Sequence, residues 1–450
     1  MRILHYALGF PPYRTGGLTK YCTDLMLTQR EEGHEVALMW PGQMGFIDKK
    51  LRIRQGKPWN DIQSFEVINP LPVALDEGIR DVEAYTQTVD AKIYEEFLDG
   101  YSPDVIHMHT LMGLHSEFLD VARKMGIRTV FTSHDYYGLC PKVTLFRDGK
   151  TCNNDHDCAD CVTCNQTALS LKKIAIMQSP LYRKMKNTAI VKKIRQRHRQ
   201  EFFEEQEAPV MEVNADEVTT CAEDYRKLRR YYVEMLQKVD KIHFNSTVTK
   251  KIYRRYLEPK SSEVISITHR DIKDHRKIKD FNHENLRLTY LGPAKPFKGF
   301  HFLIQVLDDL WKQGVQNFEL HIYTATNVER PYITHRQDGY PYSQLEEIFD
   351  HTDLLVVPSV WYETFGFTVL EALSYGVPVL VSENVGAKDV LGKDKYGFQL
   401  KLNKTAFQNK LKEICLEQDK LMICNLDNIR GKTIDGMIQH EREVIKFYEK

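Results

Sequence analysis

Short runs rich in aliphatic and β-branched residues alternate with amphipathic helical stretches along both halves of this sequence. Parallel strands need a crossover and a helix supplies one, so the alternation predicts parallel sheets covered by helices. In the first half, residues 3–7 read as a strand, 18–32 as a helix stopped by Gly33, and 36–40 as the next strand. Strands at 105–109 and 129–133 follow, separated by a helix over 116–124. The second half repeats the pattern with strands at 286–291, 319–323, 354–358 and 377–381. A chain of 450 residues is too long for one ordinary core, so two domains are expected. The predicted division is 1–258, 264–432 and a final helix over 433–450, with Met437, Ile438, Val444 and Ile445 on its apolar face.

An insertion over about 140–238 breaks the sheet pattern and reads as helical. Residues 161–200 carry ten Lys/Arg and no Asp or Glu, and Glu201, Glu204, Glu205 and Glu207 follow. Two readings stay open for the basic stretch. One is a solvated helix face. The other is a dock for an anionic membrane or a lipid-phosphate acceptor, with Ile174, Ile176, Met177, Leu181 and Tyr182 as apolar contacts. Globally Lys+Arg and Asp+Glu balance at 62 each, which gives no ground for a nucleic-acid partner. The sequence opens on a short strand, without the apolar stretch of a signal peptide, and no window approaches a spanning helix. These features predict a cytoplasmic protein, peripheral at the inner face of the plasma membrane if the basic stretch docks there.

The most specific segment runs from Pro358 through Glu363-Thr364-Phe365-Gly366-Phe367-Thr368 to Glu371 and Gly376. An apolar strand ends in an aromatic loop, a helix starts near Gly366, and a buried strand follows Gly376. Open α/β sheets bind ligands at such strand ends and helix starts. The free N–H groups of Gly366, Phe367 and Thr368 suit an anionic diphosphate, and Gly366 admits close approach. Glu363 and Glu371 would accept paired hydrogen bonds from vicinal hydroxyls, hence from a sugar and a ribose. Two surface glutamates beside a tight turn is the plainer reading.

The whole string resembles the signature of retaining GT-B glycosyltransferases, family 4 in particular: two glutamates separated by seven residues, with an aromatic-Gly pair after the first. The resemblance implies an α/β fold of two Rossmann-like domains facing across a cleft, and a nucleotide-sugar donor of UDP or GDP type. It implies that Glu363 binds donor-sugar hydroxyls and Glu371 the nucleotide ribose. Leu291-Gly292-Pro293-Ala294-Lys295-Pro296-Phe297-Lys298-Gly299 is similar to the family loop in which an Arg and a Lys grip the diphosphate. Lys298 stands at the lysine position. Pro293 stands at the arginine position and donates nothing; Lys295 offers a point charge in place of a bidentate fork. Gly339-Tyr340-Pro341-Tyr342 resembles the loop that holds the nucleobase, and Gly386 with Asp389 loosely matches a later Gly-x-x-acid turn.

In the first half, the loop of residues 9–18 precedes a helix and lacks the Gly-x-Gly-x-x-Gly spacing of dinucleotide enzymes. Gly16-Gly17 resembles the family's glycine loop beside the donor phosphates, with a plain turn as the alternative. His134, in Ser133-His134-Asp135, stands at a strand end and resembles the histidine that contacts the transferred sugar; a structural His–Asp pair is the alternative. His107 and His109 fall on one side of a strand and are expected to line the cleft floor rather than hold a metal. The resemblance implies front-side retention of configuration, with the leaving phosphate helping to deprotonate the acceptor and no catalytic cation. Lys298 and the helix start would stabilise the departing diphosphate. The implied acceptor is a saccharide or lipid-linked saccharide of surface polysaccharide synthesis.

Cys152, Cys158, Cys161 and Cys164, with Cys140 upstream, form overlapping Cys-x-x-Cys steps that suggest a small structural zinc knot. Unligated thiols or a redox pair are the alternatives. The nearby Asp155-His156-Asp157 imitates a metal motif of the other glycosyltransferase fold, but its cysteine-rich setting argues against that use. Two further functions compete with transfer: a nucleotide-sugar 2-epimerase, and a silent GT-B subunit that scaffolds a partner, to which Pro293 lends support.

Overall fold

A computed structural model describes all residues except 46, 76–77, 154–156, 187, 189–190, 192, 194–214 and 432–433, with backbone only for 215–221. The second part of the basic stretch, the acidic run at 201–207, and Asp155 and His156 therefore lie outside the described residues.

The first sheet contains β1 (Arg2–Tyr6), β2 (Glu35–Pro41), β3 (Arg52–Gln55), β4 (Gln63–Ile68), β5 (Val105–Met108) and β6 (Arg128–Thr132). A small hairpin, β7 (Phe146–Arg147) and β8 (Lys150–Thr151), stands in the insertion, and β9 (Lys241–Phe244) and β10 (Ser262–Val264) complete the sheet. Its order is β10-β9-β6-β5-β1-β2-β4-β3, parallel throughout except at the β3 edge. The second sheet contains β11 (Leu286–Tyr290), β12 (Phe318–Ile322), β13 (Ile333–His335), β14 (Leu354–Val357), β15 (Val379–Ser382) and β16 (Gly397–Leu400). It is all parallel, in the order β13-β12-β11-β14-β15-β16. The central strands are buried and read as unbroken apolar runs because helices cover both faces.

In both sheets the strand order reverses beside the first strand, between β1 and β5 and again between β11 and β14. Loops leaving adjacent strands in opposite directions open a crevice there, which is where an open α/β sheet takes its ligand. The loops after β11 and β14 carry Lys298 and Glu363; the loop after β1 carries Gly16-Gly17.

Two boundaries shift from expectation. β10 pairs with β9, so the first sheet continues through Val264, past residue 258. The final helix is Met437–Glu449 and packs on the helix Gly17–Glu31 of the first domain. Tyr21 Oη meets His440 Nε2 at 2.8 Å, and Tyr448 Oη meets His107 Nδ1 at 2.6 Å. Val444 and Met437 are buried, but Ile438 is exposed rather than on the apolar face.

Candidate active site

The helix Phe367–Ser374 begins at Gly366, whose φ of 101° belongs to the left-handed region that glycine tolerates. No side chain caps this start, so its first N–H groups remain available. It ends in a glycine turn, Gly376 N–H donating to Leu373 O and Val377 N–H to Ala372 O. Across the cleft, the helix Gly17–Glu31 starts after Gly16 (φ 109°), also without a side-chain cap. A Cβ on Gly17 would stand 3.5 Å from the Phe367 ring, so the two helix starts face each other in close approach. Each carries the positive end of its helix dipole.

Between them lies a cleft of about 320 Å³ lined by Gly17, Lys298, Tyr340, Glu363, Thr368 and Glu371, among others. Lys298 is held by the turn Pro296–Lys298, which Gly299 terminates at φ 79°. A Cβ on Gly299 would sit 2.0 Å from the Pro358 carbonyl, so no other residue fits where the two loops meet. Lys298 Nζ donates to Glu363 Oε1 at 2.5 Å and stands 4.9 Å from the centre of the Trp361 ring. Ser359 Oγ donates to the other carboxylate oxygen of Glu363. Pro293 lines the same cleft and its carbonyl accepts from Tyr290 Oη, so the cationic contribution of that loop to the lining comes from Lys298.

Glu371 is buried and accepts from His269 Nε2 at 3.2 Å. His269 is fully buried, with Phe367 edge-on to its ring at 5.1 Å. It comes from the segment joining the domains, which also ties back to the first helix through Lys20–Asp271 at 2.7 Å and Arg270 N–H to Asp24 at 2.9 Å. Sequence reasoning missed His269, because a linker histidine with no periodic setting carries no signal of the carboxylate it meets.

His134 is half-buried after β6 and, like Gly16, stands outside the cleft lining. Burial, reinforced by the nearby His243 and His440, pushes it down to about 3, so it is neutral at pH 7. Its Nε2 lies 3.2 Å from His109 Nδ1, and its backbone carbonyl accepts from Thr364 Oγ1 at 3.0 Å. Burial raises the adjacent Asp135 to about 6 despite the Tyr137 N–H it accepts.

Several expected site residues have other work. Thr364 joins the domains: besides its bond to His134, its carbonyl accepts from Ser246 Oγ at 2.6 Å. Phe365 is buried in the core. Lys295 lies outside the cleft lining, its ammonium 5.4 Å from the Phe297 ring centre, and Gly339 serves the turn, its N–H donating to Tyr323 O. Asp389 accepts from Thr247 N–H and Oγ1 of the first domain, at 2.6 and 2.5 Å, and is a clasp rather than part of the donor site.

His107 and His109 do not line the cleft floor; both are wholly buried. His5, His107 and His109 offer nitrogens within 4.8 Å of one another, yet hydrogen bonds already occupy them. His5 reaches His109 (2.9 Å) and Gln29 (2.7 Å), while His107 reaches Tyr448 (2.6 Å) and Thr132 (2.7 Å). The cysteines do not form the expected four-thiolate set: among the described residues no three of their sulfurs come within 4.8 Å of each other. Cys158 and Cys161 are free thiols joined by a backbone bond, Cys161 N–H to Cys158 O at 3.0 Å, and Arg229 stands 3.9 Å from the Cys161 sulfur. These residues as placed do not fit a tetrahedral zinc. The insertion does reach the cleft mouth, where Asn153 accepts from Tyr362 Oη (3.0 Å) and Arg255 (2.9 Å).

Two Rossmann-like domains facing across a cleft, with the second domain's switch-point loops converging on paired helix starts, define the GT-B fold of glycosyltransferases. The sequence matches accordingly: residues 271–425 match the family model described as Glycosyl transferases group 1, and residues 15–169 match Glycosyltransferase Family 4. Solved structures of similar fold include sucrose-phosphate synthase from Thermosynechococcus elongatus (TM-score 0.56, 11% identity, covering 100% of this chain and 98% of that one). WaaG, a glycosyltransferase involved in lipopolysaccharide biosynthesis, gives TM-score 0.54 at 13% identity, covering 99% of each chain. Anabaena HepE in complex with UDP-glucose gives 0.52 at 12%, covering 100% of this chain and 99% of that one. Among curated proteins, a Klebsiella pneumoniae protein described as an uncharacterized 42.6 kDa protein in cps region is 20% identical over 67% of this chain and 62% of its own length. The spore coat protein SA of Bacillus subtilis strain 168 is 22% identical over 25% of this chain and 34% of its own. The matches thus span less than two thirds of the length of these curated relatives.

Proposed function

We propose that this chain is a retaining glycosyltransferase that moves a hexose-type sugar from a nucleoside-diphosphate donor to a saccharide or lipid-linked acceptor in surface polysaccharide synthesis. The observation that carries this reading is the convergence of Lys298, Glu363, Glu371 and two uncapped helix starts on one cleft. The diphosphate sits between the helix starts and takes Lys298 from Glu363. That exchange frees the Glu363 carboxylate for donor-sugar hydroxyls, while Glu371, positioned by His269, holds the ribose. Tyr340 flanks the nucleobase. Negative charge growing on the leaving diphosphate meets fixed dipoles and one ammonium, so the reaction needs no divalent cation. His134, neutral, donates or accepts a hydrogen bond at the transferred sugar and carries no charge into the step.

The UDP type of donor is favoured because HepE, of similar fold, takes UDP and UDP-glucose. The cytoplasmic face of a membrane is the proposed place of work. Ile176, Leu181 and Met185 are exposed on short helices that also carry Lys172, Lys173 and Lys184, a surface suited to anionic lipid; Ile174, by contrast, is core. No helix among the described residues is long and apolar enough to cross a membrane.

Thermal shifts with UDP, GDP and ADP, each with and without EDTA, test the donor site. A ligand at 100 times its dissociation constant stabilises by about 2.7 kcal/mol. One nucleotide is expected to shift the transition, unchanged by EDTA. No shift with any of them favours the second reading, a silent scaffold in which Pro293 has disabled the phosphate grip. His269→Phe is expected to raise the donor KM about tenfold with kcat little changed, since it removes a hydrogen bond to a buried carboxylate. Unchanged donor KM would remove His269 from that positioning role.

A further inference from the structure

A second pocket, of about 640 Å³, opens beside β2, β4 and the edge strand β3 of the first sheet, at the far end of the loop that carries Gly16-Gly17. Its wall is aromatic. Phe10 stacks on Trp59 at 5.1 Å and 20°, and Trp40 is 8% exposed at the pocket, its indole N–H without a hydrogen-bond partner among the described residues. A buried indole donor without an acceptor is costly, and its presence on a pocket wall indicates an acceptor that arrives with a ligand.

The rest of the lining is cationic. Arg183, from the insertion helix Pro180–Met185, lies 4.7 Å from the Trp40 ring and 4.8 Å from the Tyr13 ring. Arg54 and Lys57 come from the β3 side. The one carboxylate in the lining, Glu66, is 4% exposed and pinned in place, because a Cβ on Gly42 would stand 2.1 Å from its Cγ. It takes a single terminal nitrogen from each guanidinium, Arg54 at 2.6 Å and Arg183 at 2.8 Å, and Arg183 Nε has no partner among the described residues. The pocket therefore keeps a net positive charge and unused guanidinium donors, which suit a phosphate or carboxylate.

We propose that this pocket is an acceptor subsite for a negatively charged saccharide, its rings against Phe10 and Trp40 and its anionic group on Arg183 and Arg54. The inference rests on the transfer reading and names the acceptor's chemistry. The Arg14 N–H bond to Phe10 O (2.7 Å) closes the near end of the loop into a turn. From Tyr13 to Gly17 is four residues, at most about 14 Å of chain, so one short saccharide spans from this pocket to the donor cleft.

The test uses the full chain saturated with UDP and reads tryptophan fluorescence on titration with glucose 1-phosphate, glucuronic acid and methyl α-glucoside. Trp40 and Trp59 report on the pocket, and UDP holds the environment of Trp361 constant. At least one anionic probe is expected to quench the signal, with affinity falling tenfold or more in Arg183→Gln and in the more exposed Arg54→Gln; the neutral glucoside leaves it unchanged. Binding of glucose 1-phosphate alone identifies a phosphorylated acceptor, and binding of glucuronic acid alone an acidic sugar. Equal binding of the neutral glucoside, unaltered binding in both variants, or no binding by either anion overturns the proposal. The UDP thermal shift keeps the two readings apart: its retention without anion binding removes this subsite alone, and its absence removes the donor reading.

Discussion

Glu363→Gln is expected to lower sugar transfer at least about 10²-fold while the thermal shift by UDP is kept or slightly enlarged. The substitution preserves shape, so the Ser359 hydroxyl and the loop bonds Glu363 N–H to Asn384 O (3.0 Å) and Gly386 N–H to Glu363 O (2.9 Å) survive. What it removes is the charge that pairs with Lys298 at 2.5 Å and that is proposed to accept from sugar hydroxyls. That ion pair, formed in the protein without donor, must open before the ammonium can meet an incoming diphosphate. Neutralising Glu363 releases Lys298, so nucleotide affinity holds or rises as transfer collapses. Side-by-side measurement of turnover and UDP stabilisation checks this. Parallel loss of both places Glu363 in the architecture of the cleft and ends its assignment to the sugar.

The two effects differ in sign because Glu363 and Lys298 belong to loops from adjacent strands that leave the sheet in opposite directions. That arrangement was legible in the sequence. Apolar runs ending at Pro358 and Leu291 place both loops at strand ends, and the spacing from Glu363 to Glu371 spans the helix start. Tertiary partners were not legible. Thr364 and Phe365 sit in the same string as Glu363, yet one hydroxyl reaches the His134 carbonyl 230 residues away and the ring fills a core. Nothing in local pattern separates a loop side chain that faces ligand from one that faces the other domain. The same limit hid β9 and β10: each is short, and β10, at Ser262–Val264, has only intermediate burial. The strand pair β3 and β4 escaped notice too, because Arg52-Ile53-Arg54-Gln55 is an exposed edge with little apolar content.

His107 and His109 show how a period-two pattern can be right about direction and wrong about environment. Both side chains do leave β5 on one face, but that face meets the first and last helices, and there the C-terminal helix closes the space that an open Rossmann half would leave to the cleft. The helix thereby brings Tyr448 onto His107 and His440 onto Tyr21, partners that no reading of the first domain alone would supply.

Lowering the pH from 7.5 to 5.5 is therefore expected to destabilise the protein by several kcal/mol, with the C-terminal helix loosening early. Burial holds His5, His115 and His243 near 4 and His134 and His440 near 3, against an ordinary value of 6.5. Folded-state values below the unfolded one mean that the unfolded chain takes up protons first as pH falls through 6.5. Stability present above that pH is lost on the way down toward the folded values. Each such histidine costs about 1.3 kcal/mol over this interval, so these five remove roughly 6–7 kcal/mol. His107 and His109, held well below their ordinary value, act in the same direction. Glu441, raised to about 7, and Asp135, raised to about 6, oppose the loss, because the folded state takes up their protons first. Together they return roughly 2–3 kcal/mol, less than the histidines remove. A fall in Tm of roughly 5 °C follows for a chain of this length, with faster hydrogen exchange over 437–449 at pH 5.5 than at 7.5 after correction for intrinsic rates. A flat Tm between these pH values would mean that the histidine network opens and hydrates without cost, and that the C-terminal helix is held by its apolar side chains alone.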